Sequence, residues 1–203
     1  MELADVLRRR RMVRAFQDRP IDRAALDRVL DAARRGPSAG STQGLDLLVL
    51  EGPVQTTGYW DLTFPDPGAR AGFRWQGLFA APVLVVPVVD PAAYATRYGE
   101  ADKEGTGLGE VRSWSVPYWW VDGGAAVENI LLAAVDEGLG ALLFGLFDHE
   151  RAVLDAHGVP PGRRALGTVA LGHPAPDERG RSASRPRRTL DEIVHRGRWG
   201  ATD

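Results

Sequence analysis

The sequence predicts one globular domain in which helices separate widely spaced strands. The chain has 203 residues, of which 44% are hydrophobic and 26% charged, and this composition suits a single domain with a sizeable core. Apolar residues recur at helical spacing after Asp22 and after Asp122. The β-branched run from Val83 to Val89 is instead typical of a buried strand.

Two helices and a strand are expected at the start of the chain. A short helical stripe ends at Leu7, and a second helix is capped by Asp22 and stops at Gly36-Pro37. The small, polar segment from Pro37 to Gly44 can turn its amides toward a ligand, and it leads into a strand from Leu45 to Leu50. A simple connector is the alternative interpretation of this segment. The expected core face of the second helix consists of Leu26, Val29, Leu30 and Ala33.

The middle of the chain contains fewer regular signals. Two modest helices are expected between Pro53 and Ala80, followed by the strand from Val83 to Val89. Residues 90–117 are expected to form mostly loop. Glycines at 105, 107 and 109 lack the GxGxxG spacing and follow no strand, so we reject a Rossmann fingerprint, and no P-loop motif is present.

The second half begins with the most convincing helix, which Asp122 is expected to cap and Gly138-Leu139-Gly140 to end. A short strand over 142–147, a helix from Asp148 to His157 and a strand over 165–171 follow. Residues 173–188 are proline-rich and polar, and a short amphipathic piece covers 190–195.

Charge and residue types exclude several classes of protein. A net charge of -2 argues against a general nucleic-acid binder, and the absence of cysteine excludes disulfides, a thiol nucleophile and cysteine-ligated zinc. Four widely separated histidines show no metal-ligand spacing, so we expect no metal site. The N-terminus lacks the apolar run of a signal peptide, and the longest apolar stretch, Leu78 to Val89, is too short to span a bilayer. We therefore expect a cytoplasmic protein.

Arginines cluster near both ends of the chain. Arg8 to Arg11 and Arg14 form the first cluster. A solvated helix end is the commoner explanation for such a charge run, but planar guanidinium groups also bind phosphate oxygens bidentately and stay charged at physiological pH. Positive charge at both ends of a slightly acidic chain favours a local phosphate site. The second cluster consists of Arg179, Arg181, Arg185, Arg187 and Arg188.

The order of these motifs resembles the FMN-dependent nitroreductase family over essentially the whole chain. The stretch Arg10-Arg11-Met12-Val13-Arg14-Ala15-Phe16 is similar to the family's Arg-Arg-Ser-x-Arg-x-Phe, which binds the flavin phosphate, with Met12 in place of serine. Residues 37–43 are similar to its Pro-Ser-x-x-Asn-x-Gln loop, with Ser41 in place of asparagine.

Two later motifs extend the resemblance. An alanine-rich helix runs into Gly138-Leu139-Gly140 and is followed by the strand whose backbone faces the isoalloxazine in the family, here Leu143-Phe144-Gly145. The basic residues that precede a Pro-Leu-Glu-Glu-like helix in the family are similar to Arg185-Pro186-Arg187-Arg188 followed by Thr189-Leu190-Asp191-Glu192.

The resemblance implies an α+β fold with a central mixed β-sheet wrapped by helices, an intertwined homodimer, and one FMN in each of two interface sites. NAD(P)H is the implied electron donor, and no catalytic side chain is implied because the flavin carries the chemistry. The residues that the resemblance assigns to the cofactor are Arg10, Arg11, Met12, Arg14, Pro37, Ser38, Ala39, Ser41, Gln43, Leu143, Phe144, Gly145, Arg185 and Arg187.

The aromatic triplet Tyr118, Trp119 and Trp120 precedes the long helix and provides the best candidates for a substrate pocket. Packing in the core is the commoner fate of such a triplet. Further candidates are Trp60, Phe73, Trp75 and Trp114.

Three functional interpretations stay open from the sequence. The first is an FMN oxidoreductase that uses NAD(P)H to reduce a nitroaromatic, quinone or related small acceptor. The second is a flavin-dependent dehydrogenase, dehalogenase or flavin-fragmenting enzyme of a biosynthetic pathway. The third is a flavin-binding or sequestering protein without turnover, which the replacements at Met12 and Ser41 keep open.

Overall fold

A computed structural model describes residues 1–177, 180 and 184–200. Its helices surround a central sheet. The helices are α1 (Leu3–Arg9), α2 (Arg23–Ala33), α3 (Gly52–Thr63), α4 (Pro67–Ala71), α5 (Pro91–Tyr98), α6 (Tyr118–Asp136) and α7 (Glu150–Ala156). The strands are β1 (Leu45–Glu51), β2 (Val83–Val89), β3 (Gly140–Phe144), β4 (Arg164–Ala165) and β5 (Thr168–Gly172). Among the described residues no helix combines the length and apolar content needed to cross a bilayer.

The sheet has the order β1-β2-β5-β3, and β4 pairs with β2. These named strands pair antiparallel, with Leu50 opposite Leu84 and Leu142 opposite Ala170. The parallel component is an isolated bridge between Met12 and Ala141. The predicted α+β architecture with a helix-wrapped sheet is therefore confirmed, and antiparallel pairing dominates the sheet.

Hydrophobic cores lie on both faces of the sheet. On one face, α2 and α6 pack over alternate residues of β2, and Val29, Val85 and Ile130 are fully buried there. On the other face, α3 and α7 cover the intervening residues of the same strand, with Trp60 and Leu154 in the core. Because both faces are covered, all seven residues of β2 are buried, which explains its nearly continuous apolar sequence.

Several sequence predictions are confirmed. Asp22 caps α2, where its carboxylate accepts a hydrogen bond from the Ala25 N–H at 3.1 Å. Helices α3 and α4 occupy the region where two modest helices were expected, and β1 and β2 cover the expected strands. The strand expected over 142–147 begins two residues earlier and ends at Phe144.

Two predictions of local structure are wrong. The expected loop after β2 contains α5, which Asp90 caps by accepting from the N–H groups of Ala92 and Ala93. Asp148 does not cap α7, which begins at Glu150.

Two further boundaries differ. Helix α6 begins at Tyr118, so Asp122 lies inside the helix and is not its cap. The single strand expected over 165–171 is divided into β4 and β5 at Gly167, whose φ of 130° is a conformation that favours glycine.

Candidate functional site

The first arginine motif lies alongside β3. Met12 forms the parallel bridge to Ala141, and the Val13 N–H donates to the Ala141 carbonyl at 2.9 Å. Gly140 permits this close approach, since a Cβ there would lie 2.9 Å from the Val13 side chain. Because the pairing is parallel, the residues that follow Met12 run toward the C-terminal end of β3. The pairing therefore brings Arg14 to the same region as Leu143-Phe144-Gly145.

A cavity of about 430 Å³ opens between Arg14, α3 and the end of β3, and we call it the aromatic cavity. The Arg14 guanidinium lies 5.2 Å from the ring centroid of Trp75, within the range of a cation–π contact. The other residues that line the cavity are Tyr59, Trp60, Thr63, Phe64, Phe73, Trp75, Leu78, Leu142, Leu143, Phe144, Gly145, Leu146, Phe147 and His149. Such a space suits a planar, largely apolar ligand that carries negative charge at one end.

The three arginines of the first motif have different partners. Arg10 pairs with Glu128 at 3.4 Å and Arg11 with Asp177 at 2.7 Å. The Arg14 guanidinium donates to the Met12 carbonyl at 3.2 Å, and no ion pair found in the described part of the chain includes it. A half-buried cation without a carboxylate partner is a favourable anion site.

Two aromatic residues of the cavity have unusual surroundings. The indole N–H of Trp60 is buried without a hydrogen-bond partner among the described residues, which is uncommon for a polar group in a protein interior. Phe147 adopts a φ of 47° while the residue is 86% exposed, and its ring lies 2.9 Å from where a Cβ on Gly145 would stand. A bulky residue with positive φ is uncommon, and such conformations concentrate at functional sites.

The loop of residues 37–43 lines a different cavity of about 460 Å³, which also includes Tyr94 and Asp122. The two cavities share no lining residue. In one chain, the structure therefore brings Arg14 and the end of β3 together but does not bring this loop to them. The expected cofactor residues that line the second cavity are Pro37, Ser38, Ser41 and Gln43, and Ala39 belongs to the same loop.

Asp122 is the functional candidate that sequence reasoning misplaced. Its carboxylate is buried and accepts hydrogen bonds from the Ala39 N–H and from the Tyr94 hydroxyl, each at 2.8 Å. Burial, together with the bond and charge of Asp122, raises the pKa of the Tyr94 hydroxyl, so this group stays protonated and donates. The general preference of aspartate for helix N-termini concealed this role.

The second arginine cluster is only partly described. Arg185 and Arg187 are exposed, and neither lines the aromatic cavity. Arg179 and Arg181 lie outside the described residues. Gly180 lies beside Arg14, since a Cβ on Gly180 would lie 3.3 Å from the Arg14 Cζ.

The predicted substrate aromatics lie away from the aromatic cavity. Trp119 is buried among Tyr94 and Trp114, whereas 44% of Tyr118 is exposed and Trp120 lies under the Arg164 guanidinium. None of these aromatics lines the aromatic cavity, but three of the further candidates, Trp60, Phe73 and Trp75, do. Among the described residues no group of three or more His, Cys, Asp or Glu side chains could hold a metal ion.

The model of the nitroreductase family matches residues 7–173, a span that contains both cavities. The chain belongs to the nitroreductase family. Membership indicates an oxidoreductase of the flavin type, and it accounts for the order of the motifs along the chain.

Relatives of this member of the nitroreductase family cover nearly its full length. A protein from Archaeoglobus fulgidus, provisionally named an NADH dehydrogenase/NAD(P)H nitroreductase, is 28% identical over 94% of either chain. A protein of the same provisional name from Methanothermobacter thermautotrophicus is 24% identical over 98% of this chain and 88% of its own.

Solved structures show the same fold. A provisionally named nitroreductase from Desulfovibrio desulfuricans in complex with FMN is 24% identical, with a TM-score of 0.67 and coverage of 96% of this chain and 95% of its own. A nitroreductase family protein from Clostridium difficile is 17% identical, with a TM-score of 0.70 and coverage of 98% and 99%.

Proposed function

We propose that this nitroreductase family member binds FMN and uses NAD(P)H to reduce a nitroaromatic, quinone or related small acceptor. The observation that carries the proposal is the Arg14 guanidinium, which faces an aromatic cavity at the end of β3 and has no carboxylate partner among the described residues. A solved relative from Desulfovibrio desulfuricans holds FMN, and this supports the choice of cofactor.

The residues present fit FMN. The aromatic side chains of the cavity provide apolar walls for a planar ring, and Leu143-Phe144-Gly145 contributes main-chain groups beside it. Arg14, with Arg10, Arg11, Arg185 and Arg187, would neutralise the phosphate. Arg11 would have to exchange its ion pair with Asp177 for the phosphate, so we expect Arg14 to contribute more.

FMN, when bound, supplies hydride transfer from the nicotinamide and onward to the acceptor. The chain's own residues bind and orient the cofactor and the acceptor. The apolar walls exclude water, and the Phe147 ring lies beside the backbone of Gly145. We retain Tyr118, Trp119 and Trp120 as the proposed residues that contact the acceptor.

We further propose that the functional unit is a homodimer with two FMN sites at its interface. Within one chain, the loop of residues 37–43 and Arg14 line separate cavities. A second copy would allow the loop of one chain to complete the flavin site of the other.

The test is to release and identify the bound cofactor, and then to reduce the purified protein anaerobically with NADH and with NADPH. We expect a yellow protein that releases FMN and not FAD, and steady oxidation of NAD(P)H when a nitroaromatic or quinone is added. A colourless protein that also fails to bind added FMN would refute the proposal. Reduction without turnover of any acceptor would favour flavin storage.

A further inference from the structure

The loop of residues 37–43 has a backbone that needs external support. Gly40, Ser41 and Gln43 have φ values of 61°, 55° and 54°, and two of these three residues are not glycine. Residues with side chains adopt this left-handed conformation rarely, and it persists only where the surroundings hold it. Gly40 cannot carry a side chain here, since a Cβ would lie 2.8 Å from the Tyr98 ring.

Three side chains on neighbouring helices hold the loop. Asp122 on α6 accepts from the Ala39 N–H at 2.8 Å, and Tyr94 on α5 donates to the same carboxylate oxygen at 2.8 Å. Arg97 on α5 donates to the Gly40 carbonyl at 2.8 Å, and its own guanidinium is fixed by Asp102. Asp122 is thus the point where the loop, α5 and α6 meet.

The burial of Asp122 requires an explanation. The residue is only 7% exposed, and no ion pair within the described ranges includes it. Burying a carboxylate without a cation is unfavourable, so its hydrogen bonds to the loop and to Tyr94 must offset the loss of hydration. Both bonds are made by the same oxygen, Oδ2, which means that an asparagine could make them with its single carbonyl oxygen.

We propose that Asp122 is a positioning residue that holds the loop of residues 37–43 in the conformation required for the flavin site. The effect on the flavin rests on the proposed function, whereas the effect on the loop does not. Asp122 itself need not contact the flavin or the acceptor.

The experiment compares Asp122→Ala, Asp122→Asn and Tyr94→Phe by two measurements. The first is amide hydrogen exchange of the loop, whose N–H groups at Ala39, Ser41, Thr42 and Gln43 are all hydrogen-bonded. The second is FMN affinity by fluorescence titration. Asp122→Ala should speed exchange of the loop and weaken FMN binding, each by about tenfold, because one buried acceptor is lost. Asp122→Asn should stay within about twofold of the wild type on both measurements. Tyr94→Phe should change loop exchange and FMN affinity by amounts between those of the two Asp122 variants.

Glu150→Ala is the matched control. Glu150 also accepts a main-chain hydrogen bond, from the Ala165 N–H at 2.9 Å, but it touches neither the loop nor either cavity. This variant should lose stability while loop exchange and FMN affinity stay unchanged.

Unchanged loop exchange in Asp122→Ala would overturn the proposal, and so would equal losses in Asp122→Ala and Asp122→Asn. If Asp122→Ala does not fold, the comparison of Tyr94→Phe with Asp122→Asn still tests the proposal. The proposal then requires faster loop exchange in Tyr94→Phe and exchange close to that of the wild type in Asp122→Asn. If the wild type binds no FMN, the proposed function fails, and the exchange measurement still tests the role of Asp122.

Discussion

At the scale of single residues, the arginines near the N-terminus differ in the ion pairs that they would lose on binding an anion. Arg11 shares Asp177 with the main chain of Arg14, and the Asp177 side chain is only 4% exposed. Breaking that pair would leave a buried carboxylate with one fewer donor. The Arg14 guanidinium can bind an anion without losing an ion pair described in the structure. Arg14 is therefore the residue on which cofactor binding should depend most.

Arg14→Ala should weaken FMN binding by about 10- to 100-fold, because a hydrogen bond to a charged group contributes roughly 1.5–3 kcal/mol. Fluorescence titration of the apoprotein measures the change. Arg112→Ala is the control, since the Arg112 side chain is 86% exposed and pairs with the nearby Glu110. Equal FMN affinity in the Arg14 variant and the wild type would contradict the assignment of the phosphate to Arg14.

The role of a residue could be predicted from the sequence where its hydrogen-bond partner is close to it along the chain. Asp22 and its partner Ala25 are three positions apart, and the cap could be read from the sequence. Asp122 contacts Ala39 and Tyr94, which are 83 and 28 positions away, so only the fold reveals its role. Arg14 was recognised through its motif, but the sequence could not show that the described residues offer its guanidinium no carboxylate partner.

At the scale of elements, β2 could be predicted because it is buried on both faces and is therefore apolar throughout. Helix α5 was missed, although Asp90-Pro91 is a typical helix start. The glycine-rich stretch that follows α5 dominated the prediction for residues 90–117. The division between β4 and β5 depends on a main-chain conformation at Gly167, which composition does not specify. Helix α6 was predicted, but its cap was placed five residues too late, at Asp122 instead of Pro117, because Tyr118-Trp119-Trp120 provides no capping residue.

The first turn of α6 gives a prediction that separates packing from acceptor contact. Trp119 is 6% exposed and packs against Tyr94 and Trp114, so Trp119→Ala should cost about 3–5 kcal/mol of unfolding free energy. Tyr118→Ala should keep the melting temperature and change the ranking of acceptors by kcat/KM. Trp199→Ala serves as an exposed control. An unchanged ranking in the Tyr118 variant would exclude it from the acceptor site.

The contact between α7 and β4 gives a prediction for acid stability. Hydrogen bonds from Arg164 and from the Ala165 N–H lower the pKa of the Glu150 carboxyl in the folded protein. A lowered folded pKa means that the stabilisation is complete above the unfolded value of about 4.3 and is lost as the pH falls through the folded pKa. The difference in melting temperature between the wild type and Glu150→Gln should therefore narrow below about pH 4.3.

Thermal melts between pH 7 and pH 3 measure this difference. Glu104→Gln, at an exposed site, should show no comparable narrowing. A constant difference between the wild type and Glu150→Gln across the whole range would show that the carboxylate charge of Glu150 is not what stabilises the contact.

At the scale of the whole molecule, the motifs of one chain are divided between two cavities. The aromatic cavity contains Arg14 and the end of β3, and the second cavity contains the loop of residues 37–43. The motifs could be recognised in the sequence, but their separation within one chain could not. Exposed apolar residues are also present near both termini, including Leu3, Leu7 and Ile193, and such residues are typical of surfaces that contact another chain.

The separation of the loop from Arg14 within one chain predicts that two chains with different defects complement each other in a mixed dimer. Gly40→Val should disrupt the loop, because a side chain there would collide with the Tyr98 ring, and Arg14→Ala should disrupt the phosphate site. If the loop of each chain serves the partner's flavin, a dimer of one Gly40→Val chain and one Arg14→Ala chain has one site with both defects and one site with none. Either homodimer has two defective sites.

The measurement is FMN titration of the mixed dimer, which is purified through a different affinity tag on each chain. We expect one FMN to bind per mixed dimer with wild-type affinity, and none to do so in the two variant homodimers. If each loop instead serves the site of its own chain, every site in the mixed dimer carries one defect, and no site with wild-type affinity forms. A monomer by light scattering that still binds FMN would also contradict the dimer. The stoichiometry of tight binding thus reports directly which chain supplies the loop, because the same two substitutions give opposite outcomes in the two arrangements.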